Sequence, residues 1–191
     1  MKRGIKIFLC VVLAYGVVTY LFYLDRPRRM IDAAEKMEQY IPAVQEFVVN
    51  NMDLMNEVQT ILDENDPDAY ITSGNMGSEV RINPEHHGES YALADWTGLT
   101  PEERETVISL FTKPDAPFGS YSSKQYFIKA DSVVGDWVDL RLTRYTDGSF
   151  EDWSNAPYFE EVATNWYAYP VINMGIDLTA YKAERKLSYP R

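Results

Sequence analysis

The side chains best suited to chemistry in this chain are carboxylates set beside indoles. Asp-Trp occurs three times, as Asp95-Trp96, Asp136-Trp137 and Asp152-Trp153, in a sequence with 14 tyrosines and 4 tryptophans. An aromatic face next to a carboxylate can stack on a sugar ring while the carboxylate accepts hydrogen bonds from its hydroxyls. The competing reading makes these aromatics the core and the cross-strand pairs of a tyrosine-rich sheet. Trp153 lies in a loop, SFEDWSNAPYF, where binding residues concentrate. The candidate ligand-binding residues are therefore Trp153, Trp137, Asp136 and Asp152. Glycoside hydrolysis needs two carboxyls held across a sugar, one with a raised pKa. Asp136, Asp139 and Asp152 are available for it, and their spacing selects no pair.

Other chemistries lack their residues. The two histidines, His86 and His87, are adjacent in PEHHGES. Adjacent residues on a strand point to opposite faces, so they make a poor metal pair even with Glu85 and Glu89 nearby. The sequence contains no H-E-x-x-H, G-x-S-x-G, P-loop or G-x-G-x-x-G motif. The acidic run Asp63 to Asp68 fails as a calcium loop. Counted from Asp63, Pro67 falls at a ligand position and Asp68 at the glycine position; the run reads as a solvated turn. Cys10 is the only cysteine, which excludes an intrachain disulfide and a cysteine zinc site. No catalytic residue, metal or cofactor is assigned.

The element that places everything else is IFLCVVLAYGVVTYLFYL, Ile7 to Leu24, eighteen residues without a charge. As a helix it rises about 27 Å, close to the hydrocarbon thickness of a bilayer. It has no polar face, as a core helix would, and cleavage after Gly16 would leave an apolar new terminus. The expectation is a retained signal-anchor helix over 7–24. A short basic tail, 1–6, precedes it and the basic DRPRR segment, 25–29, follows. Basic residues are nearly balanced across the run. The tail lacks acidic residues and the body is strongly acidic, so the C-terminal domain is expected outside the cytoplasm. From Asp32 to Glu161 there are 26 acidic and 8 basic residues, a net charge of −18. Such a surface does not suit nucleic acid, whose phosphates need a basic face. The tail 182–191 turns basic again.

The region 30–181 reads as one α+β domain. Met30 to Asn65 gives a long amphipathic helix. Its third apolar column, Ala33, Tyr40, Phe47, Leu54 and Ile61, widens the stripe beyond a two-stranded seam, as for a helix lying on its own sheet. Association with a protein partner or a second copy through 30–65 is the alternative. Pro42 should kink or restart this helix near Ile41. Short strands are expected at Tyr70 to Thr72, Glu79 to Ile82 and Tyr91 to Ala94. Thr100-Pro101-Glu102-Glu103 is a capping-box start for a second helix, 101–113. Strands over 124–181, turned at Gly135-Asp136 and Asp147-Gly148 and parted by Pro170, complete a mostly antiparallel sheet.

The N-terminal run, the Leu99-Thr100-Pro101-Glu102-Glu103 helix start and the strand Asn165-Trp166-Tyr167-Ala168-Tyr169 resemble small single-span, membrane-anchored proteins of Gram-positive bacteria. The resemblance implies a bacterial envelope setting and transfers no functional residue. The expectation is a single-pass cell-membrane protein whose outer domain is a non-enzymatic binding or interaction module. A surface hydrolase acting on envelope glycans is the alternative.

Overall fold

The computed structural model describes residues 2–65, 69–73, 79–84, 89–122, 124–133, 136–145, 156–172 and 178–179; for 2–7, 9, 22, 23, 131–133 and 136 it describes the backbone alone. The uncharged run forms α1, Lys2–Leu24. Its apolar side chains are exposed, among them Phe8, Val11, Val12, Leu13, Val17 and Leu21. Successive helical residues turn by about 100°, so consecutive exposed residues such as Val11, Val12 and Leu13 point in three directions. Among the described residues no helix is long and apolar enough to cross a membrane. The side chains of Ile7, Leu9, Phe22 and Tyr23, which complete the expected span, lie outside the described residues.

Asp25 alone separates α1 from α2, Arg26–Lys36. The helical ladder passes through it: Asp25 donates its N–H to the Leu21 carbonyl and accepts from Arg29 N–H, each at 3.1 Å. The expected single helix over 30–65 is instead four pieces. After α2 come a 3-10 turn, Met37–Tyr40, then α3, Ile41–Asn50, and α4, Met52–Asn65. Pro42 sits in the first turn of α3, where its missing N–H is tolerated. The second break is at Asn51. Its backbone leaves the helical region (φ −126°, ψ 20°) and its amide donates to the Phe47 carbonyl at 2.8 Å. Asn competes for backbone hydrogen bonds in this way, and so ends helices that apolar spacing would continue.

Among the described residues the other layer is one eight-stranded sheet, antiparallel at every pairing, in the order β3-β2-β1-β4-β5-β6-β8-β7. Its strands are β1 Tyr70–Thr72, β2 Arg81–Asn83, β3 Tyr91–Ala92, β4 Ser120–Ser122, β5 Gln125–Val133, β6 Asp136–Arg144, β7 Glu160–Ala163 and β8 Trp166–Ile172. The sheet thus begins at Tyr70, well before residue 124. Between β3 and β4 lies α5, Pro101–Phe111, two residues shorter than expected at its C-terminal end. Its capping box is formed, Thr100 Oγ1 accepting from Glu103 N–H while Glu103 accepts from Thr100 N–H at 2.7 Å.

Two expected turns move. Asp136 opens β6, paired with Val133, rather than closing the turn. Pro170 lies inside β8, opposite Leu140 on β6. It is accommodated because β7 pairs with β8 only as far as Ala168, so among the described residues no strand pairs with Pro170 on that side. The expected turn at Asp147-Gly148 lies outside the described residues.

Helices cover one sheet face. Val138, Leu140 and Ile172 pack with Met30, Ala33, Ala34 and Met37. The larger cluster joins Val44, Phe47, Val48, Met55, Val58 and Leu62 to Ile71, Ile82, Tyr121, Tyr126, Leu142 and Trp166. The apolar stripe expected over 30–65 therefore faces the chain's own sheet. Each such side chain, fully buried, contributes roughly 1.5–3 kcal/mol relative to exposure. Long-range hydrogen bonds tie the layers, among them Tyr158 Oη to the Ala34 carbonyl at 3.1 Å, Trp166 Nε1 to Asn56 Oδ1 at 3.2 Å and Gln59 Nε2 to Tyr121 Oη at 3.1 Å.

Candidate functional site

The three Asp-Trp pairs separate in space and in role. Asp95-Trp96 is structural. The Trp96 indole lies against Gly98, in the space where a Cβ would stand. Arg104 donates to the carbonyls of Ala94 and Trp96 at 2.7 and 3.1 Å, fastening this turn to α5. Asp136 is the first residue of β6, and its side chain lies outside the described residues. Trp137 follows it and is 58% exposed. Asp152 and Trp153 lie outside the described residues, as do His86 and His87. Of the four candidate ligand residues, only Trp137 therefore has a described side chain, and it is out in solvent.

Alternation along β6 explains the exposure. Val138, Leu140 and Leu142 face the helices and are fully buried. Trp137, Asp139, Arg141 and Thr143 take the opposite face. On that face lies a cluster the sequence did not disclose. Arg141 Nη1 donates to Gln125 Oε1 at 2.7 Å, and Nη2 to Asp139 Oδ2 at 3.0 Å. Its guanidinium carbon stands 4.8 Å from the centroid of the Phe127 ring, a cation–π distance. Arg141 and Asp139 retain only 17% and 13% of their side-chain exposure, so solvent screens this pair less than a surface ion pair. Arg141 Nε is buried and has no hydrogen-bond partner among the described residues.

Aromatic side chains flank the guanidinium. Tyr169 pairs across strands with Arg141 and is almost wholly buried. Its ring lies 5.2 Å from Phe159. Burial pushes the Tyr169 phenol up, against the opposing pull of the Arg141 charge, so it is a neutral donor rather than a base. Tyr167 lies two cross-strand pairs further on, opposite Thr143 and Glu161. Its phenol is also pushed up, first by desolvation and then by the Glu161 carboxylate. Tyr145 meets it edge-on at 6.2 Å.

This arrangement is suited to recognition by stacking and charge-assisted hydrogen bonds. A preorganised cation is locked between a carboxylate, an amide and aromatic rings, with Trp137 projecting beyond it on the same face. Among the described residues no group of three or more His, Cys, Asp or Glu could hold a metal ion. The one sequence signal for the cluster was polar alternation at Asp139, Arg141 and Thr143, which reads as a solvated face. The partnership with Gln125 and Phe127 depends on the register of β5 against β6, which shifts at an irregularity between Phe127 and Lys129.

Compared with family models, curated proteins and solved structures, the chain matches none of them.

Proposed function

We propose that this chain is a single-pass, membrane-anchored protein of the bacterial envelope, in which Ile7 to Leu24 is the anchor and the α+β domain is an extracytoplasmic, non-enzymatic binding or interaction module. The observation that carries this reading is the exposure of apolar side chains on successive positions around α1, with Val11, Val12, Leu13, Val17 and Val18 all more than half exposed. Soluble proteins rarely leave so large a continuous apolar surface in water, whereas a lipid bilayer accommodates it. The orientation is supported by the basic tail of Lys2, Arg3 and Lys6 and by the acidic body. The binding role is supported by the exposed indole of Trp137, which shares a face of β6 with Arg141, four residues further along the strand.

Carbonate extraction of cell membranes with N-terminal sequencing tests the anchor. The intact chain is expected in the pellet, and a soluble product starting near Val17 overturns the reading. Protease added to intact, wall-stripped cells should digest the domain; protection until lysis reverses the orientation. A photo-crosslinking residue in place of Trp137 tests the module. A discrete adduct is expected from position 137 and none from exposed Val49 on α3, and equal silence at both removes the binding role of this face.

A further inference from the structure

The order of packing fixes which end of the sheet lies nearest α1. Along β6, Val138 and Leu140 pack with Met30, Ala33, Ala34 and Met37, whereas Leu142 joins the cluster of α3 and α4. Along β8, which runs the other way, Ile172 packs with Met30 and its neighbours, and Ala168 and Trp166 join the cluster of α3 and α4. The β5–β6 hairpin end, where Val133 pairs with Asp136, therefore lies at the α2 end of the domain, and α2 touches β5, β6 and β8 there. Only Asp25 separates α2 from α1, and Met30 stands about 9 Å along the helix from Leu24, where the uncharged run ends. We propose that this end of the domain rests on the bilayer, with the indole of Trp137 docked at the lipid–water interface. The inference rests on the reading of α1 as a membrane anchor, and it names the phospholipid interface as the partner of Trp137.

Trp137 is the second residue of β6, one position past the last pair of the hairpin, on the face turned away from the helices. It is the most exposed tryptophan among the described residues: Trp166 is fully buried, and Trp96 is half-buried against Gly98. An indole joins a large apolar ring to one N–H donor, so it is favoured where acyl chains meet headgroups, with its ring in the first and its donor in the second. Charge orients the domain in the same sense. The body from Asp32 to Glu161 is strongly acidic and is repelled by anionic headgroups. At the α2 end, Arg28 is exposed. The basic run of Lys182, Arg185 and Lys186 begins four residues after Leu178, which is buried in the same cluster as Met30. Cations at one end and carboxylates over the rest turn the hairpin toward the lipid. Trp137 and the helix leaving the bilayer are then two points of support, and the domain stands in one orientation instead of swinging about Asp25.

The test uses the full chain reconstituted in vesicles of phosphatidylglycerol and phosphatidylcholine, brominated on the acyl chains just below the headgroups so that the lipid quenches indole emission on contact. Trp137→Phe, a change at an exposed position, gives the emission without this indole. Brominated vesicles are expected to quench the wild type, and roughly half or more of that loss should vanish in Trp137→Phe, because an interfacial indole lies within reach of the upper acyl chain. Equal quenching of the two chains by brominated lipid overturns the docking. So does a Trp137 contribution that iodide quenches from the water and brominated lipid does not, which leaves the indole facing a soluble ligand. Carbonate extraction of the same vesicles separates the two readings. A wild type that stays in the pellet without lipid quenching at Trp137 loses the docking surface alone, and one released to the supernatant loses the anchor and the docking surface together.

Discussion

Replacing Tyr126 with phenylalanine should stabilise the domain. Tyr126 is fully buried, and its hydroxyl has no hydrogen-bond partner among the described residues. Nearby, Gln59 donates through Nε2 to Asp63 Oδ1 at 3.0 Å and to Tyr121 Oη at 3.1 Å, while its own Oε1 is buried with no partner among the described residues. A buried hydroxyl that gives up water for nothing costs about 1–3 kcal/mol. Phenylalanine removes that oxygen and keeps the ring, which packs 4.8 Å from Phe118, 4.9 Å from Tyr121, 6.0 Å from Trp166 and 6.1 Å from Phe111. We expect Tyr126→Phe to raise stability by about 1 kcal/mol, read as a rise in melting temperature of roughly 2–4 °C for a domain of this size. The pH profile gives a second readout. Burial first, then Tyr121 and the Asp63 carboxylate, push the Tyr126 phenol well above its ordinary value. The folded state thus keeps a proton that the unfolded chain releases near pH 10. The associated stability is complete below about pH 10 and is lost as pH rises beyond it, and Tyr126→Phe should flatten that loss. Chemical denaturation of wild type and variant at neutral pH and at pH 10.5 measures both effects. If the variant is less stable by more than about 1 kcal/mol at neutral pH, the hydroxyl holds a stabilising partner and the reasoning fails.

Phe47→Ala should cost about 3–5 kcal/mol, since Phe47 is buried and packs edge-on to Phe118 at 5.5 Å. Sedimentation of the chain lacking residues 1–24 should show a monomer; a dimer that Val48→Asp splits, with Phe47→Ala melting unchanged, refutes that assignment. Gly98→Ala should lose about 1–3 kcal/mol, because the new methyl meets the Trp96 indole; an unchanged melt means that the indole swings aside freely. Thr100→Ala should cost about 0.5–2 kcal/mol. Hydrogen bonds from the backbone and side chain of Thr100 hold the Glu103 carboxyl below its ordinary value. The capping stability is therefore present above the unfolded pKa near 4.3 and is lost as pH falls through the folded one. An NMR titration in which the wild-type Glu103 carboxyl is not lowered contradicts the capping box.

The features legible in the sequence are those fixed within a few residues. The start of α5 follows from Thr100 to Glu103, and the restart of α3 from Pro42, because capping and proline act on the nearest turn. Strands β1 to β3 stand close to where short apolar runs between glycines and prolines place them. The alternation of β6 shows its buried face, and the wide stripe over 30–65 shows a helical layer destined for a sheet. Asn51 was harder. By spacing it lies on the apolar seam, yet its amide takes a backbone carbonyl and ends α3. Pro170 reads as a strand boundary, and only the early end of β7 shows why a strand tolerates it. The Arg141 cluster is the least legible element, because Gln125 and Asp139 come to the same guanidinium through pairing register, which composition does not encode.

The bond from Trp166 to Asn56 spans 110 residues, and that from Tyr158 to Ala34 spans 124. In a chain made from its N-terminus these distances are also times. At roughly 5–20 residues per second, the helical layer waits about 5–20 s after Asn56 emerges before Trp166 exists to receive it. At the start of that interval Phe47, Val48 and Met55 have none of the strands that will cover them, because β1 begins only at Tyr70. The last hairpin, β7–β8, is then the closing step of assembly, so a chain truncated before Trp166 is expected to present its apolar helices to chaperones or to the membrane surface rather than fold around what remains.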